Sequence, residues 1–86
     1  MIKEKYRVVG IEEIHHKGNV WHERVLNEVV TDLYLELYKS CTFTCHSKVY
    51  GDFTLRTTAV SSINENGKFL CINTINTTYK LEKIEA

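Results

Sequence analysis

Polar and apolar side chains alternate with a period of two in several segments of this chain, and that pattern excludes most folds at once. Across residues 32–38 the order is Asp, Leu, Tyr, Leu, Glu, Leu, Tyr. An extended backbone sends successive side chains to opposite faces, so Leu33, Leu35 and Leu37 share one face and Tyr34, Glu36 and Tyr38 the other. After a turn or bulge near Lys39-Ser40 the alternation resumes with Cys41, Phe43 and Cys45 against Thr42 and Thr44. Residues 6–14 concentrate Tyr, Val and Ile, with Gly10 in their middle marking a bulge or bend. Residues 78–84 set Tyr79, Leu81 and Lys83 against Lys80, Glu82 and Ile84.

Turn chemistry separates these runs. His15-His16-Lys17-Gly18-Asn19 and Gly51-Asp52 read as turns, Asn64-Glu65-Asn66-Gly67 as a hairpin loop, and Asn76 as a further turn, because Asn and Gly accept positive φ at little cost. Phe69, Leu70 and Ile72 form a strand between the last two, and residues 53–60 one before them, so the C-terminal third is a three-stranded meander. Residues 20–31 are two-sided: Val25, Leu26, Val29 and Val30 have helical spacing, but β-branched valines favour a strand. The expectation is a mainly β fold, a small antiparallel barrel or roll of SH3-like or OB-like size, with a short helix in 20–31 as the alternative. No repeat, linker or low-complexity run divides residues 1–86, which are read as a single domain.

At 86 residues such a domain buries roughly 60–65% of its unfolded surface, a thin core that an oligomer or ligand would reinforce. Eleven basic and eleven acidic side chains cancel. They are also interleaved, with six basic and seven acidic in residues 1–43 and five and four in residues 44–86. That balance argues against nucleic-acid binding by phosphate neutralisation, which concentrates Lys and Arg. The longest uncharged run, residues 69–79, is rich in Thr and Asn and far from a membrane span. Met1-Ile2-Lys3-Glu4-Lys5 lacks the apolar stretch of a signal peptide, and three cysteines suit a reducing compartment, so the expected location is the cytoplasm. Residues encoded by AT-rich codons (Phe, Tyr, Met, Ile, Asn, Lys) greatly outnumber Gly, Ala, Arg and Pro, which points to an AT-rich source.

Candidate chemistry is sparse. Cys41 and Cys45, with His15 or His22, have a spacing that zinc permits. On a strand, however, their Cα atoms stand roughly 13 Å apart, and no second Cys pair completes a tetrahedron. Buried thiols are the favoured reading, and no metal or other cofactor is expected. Cys45 and His46 point to opposite faces and make no nucleophile and base pair; Ser61-Ser62 lacks a nucleophile elbow, and no glycine-rich phosphate loop is present. The carboxylates show no spacing of a paired acid and base. An enzyme is therefore the less favoured class. The aromatics Trp21, Tyr34, Tyr38 and Tyr50 beside polar positions, together with Arg56, are the residue types that anchor binding surfaces. The Thr and Asn residues of 54–78 supply short donors and acceptors, from which an oligomeric sponge for a small nucleotide could be built, although Thr is also a common exposed strand residue.

Leu55-Arg56-Thr57-Thr58-Ala59-Val60-Ser61-Ser62-Ile63 and Thr74-Ile75-Asn76-Thr77-Thr78-Tyr79-Lys80-Leu81-Glu82 resemble the closing strands of small uncharacterised β proteins of low-GC Gram-positive bacteria and their phages. The resemblance covers about 30 residues, with no motif of assigned role. It implies a phage or mobile-element protein that blocks or sequesters a host factor, such as a component of bacterial defence. The expected function is then a non-enzymatic binding protein contacting a host protein through Trp21, Tyr34, Tyr38 and Arg56. The alternatives are a zinc-stabilised module and the nucleotide sponge, the latter as a homo-oligomer.

Overall fold

A computed structural model describes residues 4–13 and 24–84. Six strands follow one another: β1 (Lys5–Glu13), β2 (Val29–Tyr34), β3 (Ser40–Ser47), β4 (Gly51–Asn66), β5 (Phe69–Thr74) and β6 (Thr77–Ile84). Each pairs antiparallel with the next, and β6 pairs with β1, so the sheet closes into a barrel. The small antiparallel barrel read from the alternation is the observed fold. No helix among the described residues is long and apolar enough to cross a membrane.

Closing six strands around so small an interior requires sharp bends, and β-bulges supply them. Between Val8 and Gly10, β1 advances two residues while β6 advances one. A methyl group added at Gly10 would meet Lys80 Cβ at 3.5 Å, an ordinary contact, so the bulge foreseen at Gly10 exists without needing a glycine for space. Thr57 and Thr58 of β4 together face Cys41 of β3. There the Thr57 hydroxyl accepts the Cys41 N–H at 3.1 Å and donates to the Thr58 carbonyl at 2.7 Å, which satisfies groups that the bulge removes from the ladder. A further register shift near Ser61 lets the long β4 serve β3 with its first half and β5 with its second.

The interior is apolar. Val8, Val30, Leu33, Cys41, Phe43, Cys45, Val60, Ile72 and Leu81 are all at most 1% exposed. Phe43 meets Tyr79 edge to face, centroids 6.1 Å apart and planes at 77°. The expected inward set of β3 is confirmed in Cys41, Phe43 and Cys45.

The strand read over residues 32–38 begins and ends earlier. β2 begins at Val29 and ends at Tyr34, with Asp32 at φ 53° in a bulge where Asp32 and Leu33 together oppose Phe43. Leu33 is buried and Tyr34 exposed as the alternation requires, but the strand ends there, and Leu35 is half-buried and Leu37 exposed. Tyr38 sits in the following turn at φ 69°, its N–H bonded to the Val60 carbonyl at 2.8 Å. Residues 20–31 divide: Arg24 and Val25 form part of a helical turn, and Val29 onward is strand. The β3–β4 turn occupies residues 48–50, just before the expected Gly51-Asp52. The hairpin loop is Gly67-Lys68, with Gly67 at φ 61°. The turn read at residues 15–19, together with His15, Trp21 and His22, lies outside the described residues.

Candidate functional site

The register of β2, β3 and the first half of β4 sets their outward side chains in three rows. Val29, His46 and Asp52 form one, Thr31, Thr44 and Thr54 the next, and Tyr34, Thr42 and Arg56 the third. Strands are about 4.8 Å apart, so each row spans about 10 Å.

The third row joins two of the residues read as contact anchors. Tyr34 is 50% exposed and Arg56 is exposed, with the half-buried Thr42 between them. Among the described residues the Arg56 side chain has no hydrogen-bond or ion-pair partner. Tyr38, 76% exposed, lies outside this row, in the turn that leads into β3.

The first two rows carry a connected hydrogen-bond relay. His46 Nδ1 lies 2.9 Å from Asp52 Oδ1, and His46 Nε2 lies 2.6 Å from Thr31 Oγ1. A carboxylate only accepts, so Nδ1 carries the proton of the neutral imidazole and Nε2 is left as an acceptor. The Thr31 hydroxyl then donates to Nε2. The side chains of His46 and Asp52 are 37% and 68% exposed, so the relay is open to solvent. Spacing along the chain carries no sign of it, because Thr31, His46 and Asp52 come from three strands and meet only through the register. In the sequence His46 stood out only beside the thiols, within the set of Cys and His residues weighed for zinc and as a neighbour of Cys45.

The thiols face the other way. Cys41 and Cys45 are fully buried, and burial pushes Cys41 up to about 12 and Cys45, with Glu28 and Asp52 adding to the effect, to about 11. Both are protonated small apolar residues under ordinary conditions. The described residues contain no group of three His, Cys, Asp or Glu placed to hold a metal ion. Of the Thr and Asn set, Thr57, Thr74 and Thr77 are buried, and Asn73 is engaged by Ser62 and Thr78. The Thr74 hydroxyl donates to the Thr77 carbonyl at 2.8 Å and accepts the Thr77 N–H at 3.1 Å, closing the β5–β6 turn.

Family models, curated proteins and solved structures give no match to this chain.

Proposed function

We propose that this chain is a binding protein that acts by occupancy, docking the outer face of β2, β3 and the first half of β4 on a partner protein that it blocks or sequesters. The observation that supports this reading is the Tyr34, Thr42, Arg56 row: an exposed aromatic and an uncommitted guanidinium about 10 Å apart on a rigid sheet. Tyr and Arg dominate interface hot spots because each combines a large apolar surface with directional donors. The free guanidinium favours a partner that presents a carboxylate at this point, since a bidentate pair satisfies both groups. Asp52, four residues before Arg56 on β4, and Glu36, paired with Lys39 at 3.4 Å, keep the charge on this side mixed, which suits a protein better than a phosphate backbone. The resemblance of the closing strands to phage-encoded proteins supplies the kind of partner, a host factor, with a component of bacterial defence as one form.

A photo-crosslinking residue placed at Tyr34, with a second protein carrying it at Thr78 on the opposite side as control, tests the reading in a bacterial host. The protein captured from position 34 alone is purified and titrated calorimetrically with the native chain. Replacing Arg56 by Glu, or Tyr34 and Tyr38 together by Ala, is expected to weaken binding about thirtyfold or more while the melting curve is retained. Equal affinity of native and altered chains, or capture equal from both faces, overturns the assignment.

A further inference from the structure

We infer that Thr31 is an activated hydroxyl, an acyl acceptor with His46 as its general base and Asp52 as the positioning residue. This goes beyond the docking reading and does not rest on it. Three observations combine. The hydroxyl lies at 2.6 Å from an imidazole nitrogen whose other nitrogen is held at 2.9 Å by a carboxylate, the sequence of nucleophile, base and orienting acid that hydroxyl nucleophiles require. All three groups stand on paired strands, so the geometry is fixed by the ladder: Thr31 pairs with Thr44, and His46 pairs with both Val29 and Asp52. Beside Thr31 in its own row, the Thr44 and Thr54 hydroxyls have no protein partner among the described residues, which leaves them as donors for an oxygen that gains negative charge.

The substrate class is an activated carbonyl, an ester or thioester with a good leaving group. The His46 and Asp52 side chains are 37% and 68% exposed, and an activated carbonyl is the class that needs least orientation at so open a relay. In the step, Thr31 Oγ1 forms a bond to the carbonyl carbon and its proton passes to His46 Nε2. The bond to the leaving oxygen or sulfur then breaks, and the imidazolium returns the proton to the leaving group. The products are an acyl-Thr31 ester and the free alcohol or thiol, and neutral His46 is regenerated. Asp52 keeps Nδ1 protonated throughout, so that Nε2 is the basic nitrogen.

The probe is p-nitrophenyl acetate, followed by nitrophenolate release and by peptide mapping of the acetyl group on the full chain. The expected result is acetylation at Thr31. The rate should fall about a hundredfold in His46→Gln, at the lower end of what a positioned base contributes, and about tenfold in Asp52→Asn, with Asp52→Glu closer to native. Asp52 is largely exposed, so its variants keep the fold even if His46→Gln does not. Thr31→Val preserves the strand and removes only the nucleophile. Nitrophenolate release undiminished in Thr31→Val shows simple imidazole catalysis by His46 and overturns the inference, as does an acetyl group found on lysines alone. An Asp52→Asn rate equal to native removes the positioning role and with it the relay.

Discussion

The barrel has two outer faces, and they differ in how many of their polar groups are already engaged. On the side of β5, β6 and β1 several charges are engaged within the chain. Lys68 pairs with Glu82 at 3.1 Å, and the Lys80 ammonium lies 4.7 Å from the centre of the Phe69 ring. Asn73 donates to Ser62 Oγ at 2.8 Å and accepts from Thr78 Oγ1 at 2.7 Å. On the side of β2, β3 and the first half of β4, the Arg56 guanidinium and the hydroxyls of Thr44 and Thr54 have no partner among the described residues. Thr31, His46 and Asp52 are joined in a single directed relay there. Among the described residues, the second face keeps a guanidinium and two hydroxyls uncommitted beside its engaged relay. A face of the second kind favours contacts with something outside the chain, because uncommitted donors lose least when a partner replaces water.

If these faces are two skins of one core, conditions that attack the core must remove both together. The largest such effect is alkaline. Burial raises Cys41 from 9.0 to about 12 and Cys45 from 9.0 to about 11, and raises Tyr79 from 10.0 to about 12. Each group holds its proton more tightly folded than unfolded, so its contribution is complete below about pH 9 and is lost as pH climbs toward 11 and 12. Cys41 and Cys45 lie on β3 behind the open face, and Tyr79 lies on β6 behind the closed one. The expected outcome is one alkaline transition in which amide signals of both faces vanish together. Survival of either face's signals past the loss of the other separates the molecule into two units.

Truncation inside the core measures the same coupling at neutral pH. Phe43→Ala removes the aromatic behind the open face, at an expected cost of about 3–5 kcal/mol, and Leu81→Ala removes an aliphatic behind the closed face, at about 2–5 kcal/mol. Urea denaturation should show one transition in each variant, shifted for both faces equally. A variant that melts one face alone breaks the comparison at its base.

This core was the most legible part of the sequence. Cys41, Phe43 and Cys45 alternate without interruption, β3 carries no bulge within that run, and their inward placement followed from period alone. The leucines of residues 33–37 show where the pattern fails. Asp32 takes a left-handed φ of 53° in a bulge, Leu33 and Tyr34 still face inward and outward, and β2 then ends, which leaves Leu35 half-buried and Leu37 exposed. Nothing in Asp-Leu-Tyr-Leu distinguishes a bulged strand from a regular one, since Asp tolerates both conformations. The candidate site was legible only by residue type. Tyr34 and Arg56 were singled out separately, but their alignment through Thr42 depends on that bulge, and the Thr31, His46, Asp52 relay depends on register across three strands. Register is a property of the closed sheet, which period and spacing do not encode.

The smallest expected effect discriminates most finely between the faces. Glu82→Gln breaks the ion pair with Lys68, whose side chains are 28% and 62% exposed. The cost should be about 0.2–1 kcal/mol, diminishing with added salt, because an exposed pair gains little in water and is screened. Arg56→Gln removes a charge with no partner among the described residues, so its melting curve should move by less than about 0.5 kcal/mol at any salt concentration. Each substitution removes one charge, and what the comparison reads is whether that charge was already engaged. A salt-dependent loss of about 1 kcal/mol or more in Arg56→Gln shows a guanidinium committed within the fold. In that case the open face is as closed as its counterpart, and Arg56 has nothing left to offer a partner.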